Sequence, residues 1–289
     1  MTTTTPLFTR ILIMPNAAVA QAIDISAAIG KHLKKADVEF ATVPYNYEHP
    51  DNTPDVAGFD LLIVIGGDGT LLRAGHLAAP KDLPVLGVQA GRLGFLVEVN
   101  EENLEKRLDD LLTGNYRLEK RMMLDAQFFK AGKLTARWDV INEIVLARGQ
   151  MIRPIEIRVD LNEGFMSSYV ADGLIVSTAT GSTAYALAAH GPILPPELRS
   201  MLIVPIAPHL SLDRAVVLAE GASMTLHAAS PYEMLVSVDG MKPLTMTNAD
   251  WVEVKANQRS LLMVRFGEPN YFYRDLAEVM QVLPRRKTT

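Results

Sequence analysis

The sequence predicts an α/β domain followed by a β-rich domain, and three observations carry that expectation. Up to about residue 115, short apolar runs alternate with segments of helical spacing in the order β-α-β…β-α-β-α, the pattern of a parallel sheet covered by helices. After residue 118, strand-like runs follow one another with few helices between them. The last segment, EPNYFYRDLAEVMQVL, returns to helical spacing, with Leu276, Val279 and Met280 on one face. The expected division places residues 1–118 together with about 268–289 in one domain, and residues 119–267 in the other.

Each element follows in order. Arg10 to Met14 reads as a short buried strand. Ile25, Ile29 and Leu33 recur at four-residue spacing, and Lys31, Lys34 and Lys35 gather where a helix dipole favours cations. Val38 to Val43 is expected as a second strand, and the proline-rich stretch from Tyr45 to Gly58 as a loop. FDLLIVIGGDGTLL is a buried strand running into a glycine turn, with a helix beginning near Thr70. Val85 to Val88 is a further apolar strand, leading into GVQAGRLGFL. Asn100 caps a helix carrying Leu104, Leu108, Leu111 and Leu112, and Gly114 stops it.

In the second half, AQFFKAGKLTARWDV is a hairpin turning at Ala131-Gly132. INEIVLAR, IEIRVDLN, GLIVSTA, SMLIVPIA, AVVLAE, SMTLHA, MLVSVDG, DWVEVKA and SLLMVRF are separate strands. One helix interrupts them, around Ser182 to Ala189, and the PRRKTT end is expected to fray.

Composition narrows the function classes. The chain has 289 residues, 48% hydrophobic and 21% charged, with a net charge of −5, so no basic field favours nucleic acid. It has no cysteine, which removes disulfides, thiolate metal sites and a cysteine nucleophile. The apolar run from Ile11 to Met14 is too short for a secretion signal, and no segment reaches the ~18 apolar residues of a membrane span. A cytoplasmic protein without membrane contact is the expectation.

Four constellations could carry chemistry. In Gly66-Gly67-Asp68-Gly69-Thr70, glycines permit positive φ and close backbone approach to a ligand, and a helix start presents free N–H groups to an anion. The turn is neither a Walker loop nor a dinucleotide fingerprint. A carboxylate set there would repel phosphate, yet it suits an enzyme that must deprotonate a hydroxyl beside a phosphoryl donor. The plain alternative is a tight turn with Asp68 as helix cap. Asn142-Glu143 is either a polar pair at a strand bend or an adenine- and ribose-recognition pair. In YVADGLIVSTATGSTAYALAAHG, the hydroxyls of Ser177, Thr178, Thr180, Ser182 and Thr183 argue for a close-fitting polar ligand, and Tyr185 could stack on a base; a solvated loop is the alternative. Asp239-Gly240 reads as a hairpin turn. The histidines His76, His190 and His209 lack ligand spacing, so no metal site in the protein itself is expected. Arg92, Arg121, Arg148 and Arg153 could each meet a phosphate but read more simply as surface charges.

Taken together, GGDGT at 66–70, NE at 142–143, DGLIVSTATGSTAY at 172–185 and VSVDG at 236–240 resemble the NAD kinase family, in order and spacing, over nearly the whole chain. GGDGT alone is shared with diacylglycerol kinases, sphingosine kinases and phosphofructokinases; its combination with NE and TGSTAY is specific. The resemblance implies a Rossmann-like α/β domain, a β-sandwich-like second domain and a C-terminal helix returning to the first. It also implies transfer of the γ-phosphoryl of ATP, or of polyphosphate, to the 2′-hydroxyl of the adenosine ribose of NAD, with Mg²⁺ bound alongside the donor. Asp68 would take the hydroxyl proton, with Gly66, Gly67, Gly69 and Thr70 lining the phosphates. Asn142 and Glu143 would contact adenosine, and Asp172 the nicotinamide end. Thr180, Thr183, Ala184, Tyr185, Ala186, Leu187 and Ala188 would frame the pocket, and Arg153 would be a ligand-contacting cation. A homo-oligomer, tetramer or dimer, is implied, one subunit completing its neighbour's site. Two positions depart from the family pattern. Ala179 stands where a proline is usual, and Met241 follows VSVDG where many members carry a polar residue. The rival readings are a lipid kinase sharing the glycine turn, which would need an apolar acyl channel, and a catalytically silent NAD-binding regulator.

Overall fold

A computed structural model describes residues 8–46, 53–91, 94–209 and 212–269, together with Phe272, Tyr273, Leu276 and Met280. The chain divides into two compact units, residues 1–120 with 261–289, and residues 121–260.

The first unit is built from β1 (Arg10–Pro15), α1 (Ala20–Lys35), β2 (Glu39–Thr42), β3 (Leu61–Gly66), α2 (Asp68–Ala78), β4 (Val85–Gln89) and α3 (Leu104–Leu112). The strands run parallel in the order β2-β1-β3-β4, and Met263 near the end of the last strand of the chain pairs in parallel with Val85. A parallel sheet buried on both faces needs unbroken apolar strands, and all six residues of β3 are buried. Ile11, Ile13, Ile63 and Ile65 pack against Ile25, Ile29 and Leu33 of α1 and against Leu108 and Leu111 of α3. Each such side chain contributes about 1.5–3 kcal/mol when fully withdrawn from water. His32, Lys34 and Lys35 close α1, and the Asn100 side chain accepts from the Asn103 N–H to start the segment that continues into α3. Phe272, Tyr273, Leu276 and Met280 are helical, as expected; Val279 lies outside the described residues.

The second unit is all but entirely β: β5 (Arg117–Lys130), β6 (Lys133–Val140), β7 (Glu143–Arg148), β8 (Ile155–Leu161), β9 (Gly164–Ala171), β10 (Gly173–Thr178), a single-turn helix α4 (Tyr185–Ala188), β11 (Ser200–Ile206), β12 (Val216–Ala219), β13 (Ser223–Ala229), β14 (Met234–Val238), β15 (Leu244–Met246) and β16 (Trp251–Arg265). Two strands are shared: β5 gives residues 117–120 to the first unit and 121–130 to this one, and β16 gives 251–260 to this unit and 261–265 to the first. One sheet joins β16, β13, β8 and β9, with the β5–β6 hairpin on β16; the other runs β12-β11-β10-β7-β14-β15. Leu124, Phe128, Ile157, Val159, Leu174, Val176, Ile203, Leu226 and Val252 fill the core of this unit, the alternation expected of a sandwich. The outer face of β10 and β11 is covered by Ala179, Ala186 and Leu194, which lie against Ile175, Leu202 and Val204.

Four expectations change. DWVEVKA and SLLMVRF form one continuous strand, β16. Their polar junction stays extended because Asn257 is anchored to Asp139 by a hydrogen bond of 2.6 Å. β9 and β15 were not anticipated: the first is interrupted by the polar pair Ser167-Ser168, the second has three residues. The helix expected over Ser182 to Ala189 is a 3₁₀ turn, Thr180–Thr183, followed by α4. The hairpin at Ala131 and Gly132 is as expected, with φ of 48° and 80°.

Candidate active site

In the first unit the glycine turn lies at the carboxyl end of β3, where ligands of open α/β sheets bind. The turn is not left-handed: none of Gly66, Gly67 and Gly69 has positive φ, and Gly67 is extended at φ −102°, ψ −175°. The glycines serve close approach instead. Gly66 is buried, and a Cβ on it would collide with the Thr70 side chain. Among the described residues nothing lies within 4 Å of a Cβ built on Gly67 or Gly69. The Gly67 carbonyl accepts from the N–H groups of Thr70 and Leu71, so α2 begins at Asp68, two residues before the expected start. Thr70 is buried, and its hydroxyl receives the Asn16 amide at 3.1 Å, a structural role rather than a ligand-facing one.

Asp68 is held as a carboxylate acceptor. Its Oδ2 accepts from the Phe95 N–H at 2.8 Å and its Oδ1 from the Leu96 N–H at 2.9 Å. A Cβ on Gly94 would run into this carboxylate, so the backbone passes flush against it. Sequence reading found Asp68 but neither Asn16 nor residues 94–96; the glycines of GRLGFL were the available signal. Arg92 lies outside the described residues.

In the second unit the Asn142-Glu143 pair sits where β7 begins, and Asp239 builds it. The Asp239 carboxylate, 4% exposed, accepts from the N–H groups of Ile141, Asn142 and Glu143 at 2.8, 2.8 and 2.9 Å. Asp239 and Gly240 do form the expected turn, both with positive φ. The expectation of a plain hairpin turn missed the side chain's work.

The hydroxyl cluster behaves differently from expectation. Ser177 donates to the Asn142 carbonyl and Thr178 to the Ile141 carbonyl, and Ser182 takes the Leu194 N–H. Thr183 donates to the Thr180 carbonyl, and Arg121 donates to the Thr180 hydroxyl. These hydrogen bonds tie the loop to itself and to the residues that lead into β7. Ala186 is fully buried in the core, whereas Tyr185 is 45% exposed. Leu187 and Ala188 lie beside Tyr185 in α4, and Ala184 precedes it.

Two polar atoms are left over. Asn142 Oδ1 and Glu143 Oε2 are buried and have no hydrogen-bond partner among the described residues. A buried orphan acceptor costs ~1–3 kcal/mol, which makes such atoms candidate ligand contacts. Burial, and secondarily the Asp239 charge, push the Glu143 carboxyl from its ordinary 4.5 up to about 8, against the opposing N–H of Tyr185. Between those values the folded protein holds a proton that the unfolded chain releases, so stability falls as pH rises and levels off above about 8. Glu143→Gln removes this slope. Urea unfolding is expected to show the variant gaining a few kcal/mol on the parent between about pH 5 and pH 8.5, at ~1.36 kcal/mol per pKa unit. Parallel stability curves would sink the assignment.

Asp172 is not brought to this pair. It precedes β10 and pairs with Arg148 at 3.0 Å, while Glu143 lies opposite Ser177 at the other end of the strand. Asp172 and Ser177 are five residues apart, ~17 Å at ~3.3 Å each. Arg153 is exposed on the β7–β8 loop at the Asp172 end, where Arg148 reaches the Met151 carbonyl.

A glycine turn presenting a fixed carboxylate in an α/β unit, in a chain that also carries a β unit with a built polar pair, fits a two-domain nucleotide phosphotransferase. Comparison with known proteins narrows the class. The ATP-NAD kinase N-terminal domain matches residues 18–116 and the ATP-NAD kinase C-terminal domain residues 141–266. The NAD kinase of Natranaerobius thermophilus is 33% identical over 271 residues, 90% of this chain and 94% of that one. The NAD kinase of Heliobacterium modesticaldum is 41% identical over 223 residues, 77% and 78% of the two chains. The chain belongs to the NAD kinase family. Among solved structures, yeast NADH kinase complexed with NADH matches with a TM-score of 0.82 at 24% identity, over 98% of this chain and 90% of that one. An NAD kinase from Archaeoglobus fulgidus in complex with ATP matches at 0.73 and 22%, over 95% and 100%. At those identities the likeness speaks for the fold.

Proposed function

We propose that the protein transfers the γ-phosphoryl group of ATP to the 2′-hydroxyl of the adenosine ribose of NAD, giving NADP and ADP. Asp68 takes the hydroxyl proton, the ribose oxygen forms a bond to the γ-phosphorus, and the bond from that phosphorus to the β–γ bridging oxygen breaks. The open faces of Gly67 and Gly69 admit the phosphates of the donor. Asn142 and Glu143 receive the adenosine, with Tyr185 beside them. The observation that carries this reading is the Asp68 carboxylate, held by two backbone N–H groups among glycines whose side-chain space is open.

No three acidic, histidine or cysteine side chains gather as a metal cage among the described residues. Mg²⁺ in this reading comes with the donor, held mainly by its phosphates, as this small cation prefers. It would neutralise charge on the transferring group.

Homo-oligomerisation is part of this proposal. Asp172 and Arg153 lie a strand's length from Asn142, so a neighbouring copy could bring them to a site they do not reach within one chain. Met151 and Ile152, 50% and 81% exposed on the same loop, offer the apolar contact. We place the enzyme in the cytoplasm, where both substrates are abundant; no helix among the described residues is long and apolar enough to cross a membrane.

The test is a turnover assay on the purified protein with NAD, ATP and Mg²⁺, reading NADP with an NADP-specific dehydrogenase. Parallel reactions replace ATP by polyphosphate and NAD by NADH. Steady NADP formation is expected. NAD binding without product under any donor would identify a silent binding protein.

A further inference from the structure

We propose that Arg265 is a positioning residue that acts through the backbone to hold Asp68 in place. The inference rests on the reading of Asp68 as the base. Arg265 ends β16 and is 1% exposed. Its Nη1 donates to the carbonyls of Leu96 and Val97, at 3.1 and 3.3 Å, and to Glu98 at 2.9 Å. Its Nε faces Glu119 at 3.4 Å. Leu96 is therefore gripped at both ends: its N–H holds Asp68 Oδ1, and its carbonyl is held by the guanidinium.

The opposite side of the same segment is equally confined. A Cβ on Gly87 would come within 3.1 Å of the Leu96 carbonyl and 3.2 Å of Val97 Cα. The N–H groups of Glu98 and Val99 both donate to the Gly87 carbonyl, at 3.0 and 3.1 Å. Glu98 in turn accepts the Phe266 N–H at 2.8 Å, and Glu119 takes Arg117 at 3.1 Å. Residues 94–98 thus form a plate clamped between β4 and the end of β16, and the base is hung on its edge.

A buried ion pair is a poor source of stability, because desolvation offsets most of the attraction, and an apolar residue would suit the strand SLLMVRF better. A planar fork is needed if two carbonyls and two carboxylates must be fixed at once. Lysine at this position would keep a charge but lose the fork.

The test measures Arg265→Lys in the full chain, alone and combined with Asp68→Asn, after circular dichroism has shown each variant folded. Arg265→Lys is expected to lower kcat by about 10–100-fold, the scale of a displacement near 1 Å, with KM for NAD within about twofold. In the Asp68→Asn background the same substitution is expected to change the residual rate by less than about twofold, because its target is gone. A folded Arg265→Lys with full kcat, a change confined to KM, or an undiminished loss in the Asp68→Asn background would each overturn the proposal. Should Arg265→Lys not fold, Glu98→Gln loosens the same plate and is expected to show the same kcat-only loss, about 3–10-fold; unchanged kcat there overturns the proposal equally. Near-normal turnover by Asp68→Asn alone would remove the base assignment and this inference with it. A dead Asp68→Asn beside an unaffected Arg265→Lys would remove only this inference.

Discussion

Asp68→Asn is expected to lower kcat by about 10²–10⁴-fold while leaving NAD affinity nearly unchanged, a loss of ~3–5 kcal/mol of transition-state stabilisation. The carboxylate is the one group in the glycine turn able to accept a proton, and an amide cannot replace it. The substitution has a second, smaller cost that must be separated from the first. Both carboxylate oxygens accept backbone N–H groups, from Phe95 and Leu96. A carboxamide offers one acceptor and turns an –NH₂ toward the other donor. That mismatch costs about 1–3 kcal/mol, and it appears in the free energy of unfolding. Chemical denaturation, calorimetric NAD binding and single-turnover kinetics on the same variant separate the effects. Turnover within a few-fold of the parent would exclude Asp68 as the base.

Asp239→Ala is the second large effect, and it acts on stability and nucleotide affinity together. Three N–H groups lose their acceptor at once, from Ile141, Asn142 and Glu143. At ~1–3 kcal/mol for each buried orphan, partly relieved by relaxation, the fold is expected to lose on the order of 3–5 kcal/mol. Alanine must also adopt φ near 48°, which an aspartate or asparagine tolerates better. Because the Asp239 charge helps to raise the Glu143 carboxyl, its removal should also flatten the pH dependence of stability. KM for NAD is expected to rise at least about tenfold as the Asn142-Glu143 pair loosens, ~1.4 kcal/mol of binding. An unfolding free energy within about 1 kcal/mol of the parent would show that the three hydrogen bonds are not the anchor of the pair.

Why some of this was legible in the sequence and some was not is a matter of range. β3 announced itself as an unbroken apolar run ending in glycine, because a strand buried on both faces leaves no room for alternation. α1 and α3 were equally plain from their spacing. β9 was not, since Ser167 and Ser168 at its middle interrupt the apolar alternation. Asp68 stood out because a carboxylate among glycines is locally odd. What holds it did not, because the N–H groups lie 27 and 28 residues away and the guanidinium behind them 169 residues from Leu96. The hydroxyl-rich loop misled for the opposite reason: Ser177, Thr178 and Ser182 looked like free donors, and folding uses them to satisfy nearby carbonyls and N–H groups. Asp239 was read as a turn residue because turn propensity is local, whereas its carboxylate works across 96 to 98 positions. Arg265 was a missed signal, a lone charge in an apolar strand.

The division of β16 between the two units sets an order on synthesis. The first unit gathers residues 1–120 early, but its remaining strand segment, 261–265, leaves the ribosome only after the whole sandwich has been made. A nascent chain halted before Leu261 already carries the glycine turn and Asp68, yet lacks Arg265, whose guanidinium donates to the Leu96 carbonyl. The contact between Arg265 and the Leu96 carbonyl therefore forms only after residues 121–260 have been made.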